Sequence, residues 1–181
     1  PPAMTIAARM PRAPQSARAA GMAAAGRSGT LARALADTFN LNCYDTDQLI
    51  ESAYELDINN IWKNYGEFEF RVMERKVLFN VLNCNPGVVA TGGGLPIFFD
   101  HMHQLKRCST VYLKAEYHLL LSRIAELDKP LFKNDIHKED AIKNILNARQ
   151  FFYNQAELKL DAGQKTEQLV NILGRIFLLD G

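Results

Sequence analysis

The sequence predicts an α/β domain whose parallel sheet is covered by helices on both faces. Two observations predict it. Short apolar runs alternate with stretches of helical period, and those runs stop at residues suited to a ligand-binding edge, Asp45 and the glycines from Gly92 to Gly94. A length of 181 residues suits one domain with a real core.

The elements follow in order. Leu41-Asn42-Cys43-Tyr44 is a short strand that delivers Asp45 at its carboxyl end. Phe70, Met73, Val77, Leu78, Val81 and Leu82 recur at helical spacing, which predicts an amphipathic helix from about Glu67 to Asn83. Val88-Val89-Ala90 and Thr110 to Leu113 are strands, and a helix from Leu119 to Glu126 follows the second. A helix from Ala141 to Tyr153, a strand at Leu158 to Leu160 and a helix from Thr166 to Leu178 close the chain. Open sheets of this kind bind ligands at the carboxyl ends of their strands.

The first 36 residues contain no Asp or Glu and are rich in Ala, Arg, Pro and Ser. Residues 1–20 are therefore set apart as an atypical leader, either transit-like, a scar or a mistaken start, and 21–181 as the domain. Lys plus Arg number 21 and Asp plus Glu 20, so the charge of +1 offers no footprint for nucleic acid. No apolar run reaches the length of a membrane span. Cys43, Cys84 and Cys108 are dispersed and odd in number, which reads as reduced, buried thiols. His101 and His103 fall in an expected loop with no ligand partners at metal spacing, so the histidines carry no role.

Five features carry possible chemistry. Gly21 to Ser28 fits the phosphate-loop pattern G-x-x-x-x-G-K-[ST] except for Arg27 at the Lys position. In that pattern backbone N–H groups cradle phosphate and the hydroxyl meets Mg²⁺. Asp45 and Asp47 flank Thr46: they can divide metal and proton duties, or simply cap a helix. Arg71 and Glu74 are neighbours on one helix, either a surface ion pair or a fork held in aim for a carboxylate. Gly92, Gly93 and Gly94 after a strand suit a sharp turn or close approach to a ligand. Arg149 and Tyr153 add the fifth.

Taken together, L-A-R-A-L-A from Leu31, Y-D-T-D-Q-L-I-E, G-E-F-E-F-R-V-M-E, V-V-A-T-G-G-G, K-P-L-F and R-Q-F-F-Y resemble the shikimate kinase family from Leu31 to about Asp161. The resemblance implies a phosphate-loop (P-loop) kinase-like, three-layer α/β/α fold with a five-stranded parallel sheet. It further implies ATP and Mg²⁺, phosphorylation of shikimate to shikimate 3-phosphate, and a monomeric enzyme of the cytoplasm, or of the plastid if the leader is a transit peptide. By likeness, Asp45 is the acid near Mg²⁺, with Ser28, and Asp47 holds the shikimate hydroxyls and is the candidate base. Arg71 and Arg149 clamp the carboxylate, with Glu74 in support, and Gly92 to Gly94 form the turn against the ring. Gly21, Gly26, Arg27, Ser28, Thr30 and Arg123 face the nucleotide. Lys129 takes the place of the family's lid arginine, in a lid at about 123–140.

The sequence departs from the family at its start. The family's loop runs G-x-x-G-x-G-K-S-T, and here either Ser28 falls on the Lys position or Arg27 replaces it, with Ala24 for the middle glycine. No β-branched strand precedes Gly21, so the first strand is poorly supported, and Thr5-Ile6 is expected to lie too far upstream to supply it. Two alternatives stand beside an active kinase: a shikimate-binding module without phosphoryl transfer, and a small-molecule kinase of the gluconate type.

Overall fold

A computed structural model describes residues 4–8, 27–85, 87–116 and 138–179. The described elements are β1 (Met4–Ala8), α1 (Arg27–Phe39), β2 (Asn42–Asp45), α2 (Thr46–Tyr54), α3 (Ile58–Asn83) and β3 (Gly87–Ala90). After them come α4 (His101–Leu105), β4 (Ser109–Lys114), α5 (Lys138–Tyr153), β5 (Leu158–Asp161) and α6 (Thr166–Gly174). A short 3₁₀ turn, Leu95–Ile97, precedes α4, and a π-helical turn, Arg175–Leu179, follows α6.

The five strands lie in the order β2-β3-β1-β4-β5. β2 pairs parallel with β3, and β4 with β5. β1 pairs antiparallel with both β3 and β4, so the four outer strands share one direction and the central strand opposes them. Two expectations are corrected here. The sheet is parallel in four strands rather than five, and Thr5-Ile6 is not too far upstream: it lies within the central strand. The physical reason is the open ladder. Without a partner between them, β3 and β4 would bury unpaired N–H and C=O groups, and a short strand of either direction satisfies them.

The sheet separates two apolar layers. Val111 and Leu113 join Leu31, Leu35, Leu169 and Leu173 beneath α1 and α6, whereas Tyr112, between them in sequence, packs on Tyr153 of α5. This alternation is the period-two signature of a strand buried on both faces. The helix predicted from Glu67 begins earlier, at Ile58, and is broken at Gly66 (φ 77°, ψ 176°). The predicted helix at Thr166 stays α-helical only to Gly174.

Local chemistry explains the turns nearest the site. Asp45 ends β2 and its Oδ1 accepts from Asp47 N (3.0 Å) and Gln48 N (3.2 Å), capping α2. Asp57 caps α3 by accepting from Asn60 N at 2.8 Å. His101 is not in a loop but opens α4; it is buried, and its Nδ1 lies 2.8 Å from Leu95 O. Burial lowers its pKa, so it tends to the neutral form. Its role is to tie the 3₁₀ turn to α4. Of the thiols, Cys108 is buried and Cys43 half-buried, but Cys84 is exposed, against expectation. No described helix is long and apolar enough to cross a membrane.

Candidate active site

The site lies at the carboxyl edge of β2 and β3, on the turn that leaves β3. Each glycine of this turn meets a different functional side chain. A Cβ on Gly92 would stand 3.0 Å from Asp47 Oδ1. Gly93 O accepts from the Tyr153 hydroxyl at 2.7 Å. A Cβ on Gly94 would stand 2.5 Å from Arg71 Nη1. Gly92 and Gly94 let the backbone run against an acid and a guanidinium, and the carbonyl between them meets a phenol.

Arg71 is 5 % exposed and Glu74 1 %, which rules out the surface ion pair. Arg71 Nη1 donates to Glu74 Oε2 at 2.8 Å. Its Nε and Nη2 both donate to Glu67 Oε1, at 3.3 and 2.9 Å. The guanidinium carbon lies 4.1 Å from the Phe98 ring centroid, and the rings of Phe70 and Trp62 stand slightly farther off. Burial pushes the Glu74 carboxyl up to about 7, against the pull of Arg71. The same carboxyl feels the charges of Asp47 and Arg149, so these four groups share one region.

Arg149 comes from α5, four residues and one helical turn before Tyr153. It is 8 % exposed, and its Nη1 is buried with no partner among the described residues. Such a donor is costly unless a ligand completes it. Tyr153 is fully buried and stacks on Tyr112 at 5.2 Å between centroids; burial pushes its phenol up to about 12. The structure thus brings Asp47, Arg71, Glu74, Gly92, Gly93, Gly94 and Arg149 into one region.

Asp45 realises the capping alternative, and burial raises its pKa while the two backbone N–H bonds oppose that rise. The Arg33 charge also reaches it, which sets the first half of α1 beside the end of β2. Arg27, Ser28 and Thr30 fall in the first turn of α1, which carries no acid. An acid-free helix N-terminus suits phosphate oxygens. Among the described residues no group of three His, Cys, Asp or Glu could hold a metal ion. Gly21, Gly26, Arg123, Lys129 and the expected helix from Leu119 to Glu126 lie outside the described residues. Of the expected lid, Lys138 to Asp140 open α5, and 123–137 lie outside.

Sequence reasoning missed Glu67 as a partner of Arg71, although its spacing of four was the available signal. It also missed Phe98, which only the turn after Gly94 brings over Arg71.

Two buried guanidinium groups and an acid, set around a glycine turn at the carboxyl edge of this sheet, define an α/β enzyme that receives a small anionic substrate. The sequence model for shikimate kinase matches residues 23–176. The shikimate kinase of Azobacteroides pseudotrichonymphae is 36% identical over 144 residues, 76% of this chain and 84% of the relative. That of Phocaeicola vulgatus is 37% identical over 142 residues, 76% and 81% of the two chains. The structure of the Acinetobacter baumannii enzyme in complex with shikimate is similar, with a TM-score of 0.77 and 29% identity over 87% of this chain and 89% of that one. The chain belongs to the shikimate kinase family.

Proposed function

We propose that this protein transfers the γ-phosphate of ATP to a ring hydroxyl of shikimate, giving shikimate 3-phosphate. The observation that carries the reading is the glycine turn packed on Asp47, Tyr153 and Arg71, with the unpartnered Arg149 Nη1 buried beside it. A ring carboxylate satisfies Arg149 and bridges toward Arg71, two fixed forks that orient a planar anion. Asp47 then holds the ring hydroxyl and takes its proton as the oxygen bonds to phosphorus and the bond from phosphorus to the ADP oxygen breaks. The first turn of α1, from Arg27 to Thr30, receives phosphate oxygens through its N–H groups. Ser28 and Asp45 would hold Mg²⁺, Asp45 through water because its Oδ1 caps α2. When bound, Mg²⁺ neutralises charge on the phosphates. Lys129 and Arg123 add positive charge for the transferring phosphoryl group. Action as a monomer in the cytoplasm completes the reading.

The test is ADP release coupled to a reporter, with shikimate, ATP and Mg²⁺ and then with gluconate in place of shikimate. Shikimate-dependent turnover is expected. Background rates from folded protein overturn the reading, and turnover with gluconate alone reassigns the acceptor.

One observation favours a second reading, a shikimate-binding protein without transfer. The central strand ends away from the site edge, since Ala8 pairs with Val88 and Ser109 near the starts of their strands, and no Lys occupies the Gly21–Ser28 stretch. Calorimetry showing shikimate binding without MgATP binding would select it.

A further inference from the structure

We propose that Glu67 stands in for the substrate's carboxylate on Arg71 and is displaced when the acid binds, so that it sets the pocket's affinity for anions. The inference rests on the reading that Arg71 and Arg149 receive a carboxylate.

Glu67 Oε1 occupies the Nε and Nη2 edge of Arg71, the forked edge that a carboxylate recognises. Glu74 holds Nη1, and Phe98 lies over the guanidinium. The two carboxylates are unlike each other. The Glu74 side chain is 1 % exposed and fixed, whereas that of Glu67 is 46 % exposed. Glu67 also follows Gly66, where α3 is broken and no atom lies within 4 Å of a Cβ position. It can therefore swing to solvent without unpacking the core.

Charge argues the same way. Arg71 and Arg149 face Asp47, Glu67 and Glu74, so two guanidinium groups already meet three carboxyl groups, among which burial disfavours the charge on Glu74. A fourth carboxylate entering this hollow meets net repulsion unless one acid leaves. Glu67 alone among the three is both exposed and seated on the fork. Its departure frees that edge and keeps the incoming carboxylate from adding to the negative charge there. While the pocket is empty, Glu67 keeps Arg71 neutralised and in position.

The experiment is calorimetric titration of the full chain with shikimate and, separately, with its uncharged methyl ester. Glu67→Gln should bind shikimate roughly 3- to 10-fold more tightly than the unaltered chain, the scale of a partly exposed ion pair removed together with a like charge. The ester, which never contests the fork, should change by less than about twofold on the same scale. Unchanged or weaker shikimate binding overturns the proposal, as does an equal shift for both probes, which would mean a general change of the pocket. Glu67→Ser carries the same expectation should Glu67→Gln not fold. Arg149→Ala separates the two layers of argument: if it binds shikimate as well as the unaltered chain, the carboxylate pocket itself is misassigned. If it binds poorly while Glu67→Gln gains nothing, only the role of Glu67 falls.

Discussion

Gly94 lies hard against Arg71: a Cβ at residue 94 would come 2.5 Å from Nη1 and 3.0 Å from Cζ. The guanidinium cannot yield easily, because buried Glu74 holds its Nη1 and Phe98 lies over its face. Gly94→Ala should therefore rotate Arg71 out of aim and raise KM for shikimate by about tenfold or more, with a stability loss of ~1–3 kcal/mol from overpacking. Steady-state kinetics and urea denaturation of the same preparation check both numbers. An unaltered KM would show that Arg71 does not face the acid.

Arg149 separates stability from binding. Its buried, unpartnered Nη1 burdens the empty protein, so Arg149→Met should be at least as stable as the unaltered chain, by up to ~1–3 kcal/mol. Its KM for shikimate should nevertheless rise strongly, with nucleotide affinity spared. Thermal unfolding with and without nucleotide reads stability and nucleotide affinity, and steady-state kinetics read the KM.

The Tyr153 hydroxyl is the tether of the glycine turn. Tyr153→Phe leaves the buried Gly93 carbonyl without its 2.7 Å donor and should cost ~1–3 kcal/mol in urea unfolding. Shikimate binding should weaken less than in Arg149→Met, since the turn loosens but both guanidinium groups remain.

In the proposed reading Asp47 takes the proton of the ring hydroxyl. Asp47→Asn should lower kcat by ~10²–10⁴ while changing KM for shikimate much less than Arg149→Met does. A kcat within a few fold of normal would remove Asp47 from the base role.

Glu74 gives stability a pH dependence of definite sign. Its carboxyl, raised from 4.5 to about 7 chiefly by burial, keeps a proton in the folded protein over a range where the unfolded chain has lost it. Stability from this group is full below about pH 4.5 and falls as pH rises through about 7, then stays level. Denaturant midpoints from pH 5 to 8 should fall in the unaltered chain and lose that component in Glu74→Gln. A rise with pH from this group would contradict the assigned direction.

The α/β class and the gathering of these residues at one strand edge were legible because local patterns encode them. Apolar runs stopping at Asp45 and Gly92 marked the edge, and the spacing of Arg71 and Glu74 put both on one helical turn. What was not legible depends on packing between distant segments. That Gly93 binds Tyr153 sixty residues on, or that Phe98 covers Arg71, has no local signature. The direction of the central strand was hidden for another reason. Ladder satisfaction asks for a strand between β3 and β4 and is nearly indifferent to its polarity, so the Met4–Ala8 segment serves despite its unremarkable pattern.

That indifference has a consequence for how such a protein fails. Every group around the acid hollow is supplied between Asp45 and Tyr153, whereas the proposed triphosphate cradle depends on where the chain arrives ahead of Arg27. A reversed middle strand can seal the sheet and so hold in place the strands that carry Asp45 and the glycine turn. In the proposed reading, recognition of the acid and handling of the nucleotide thus draw on different stretches of the chain.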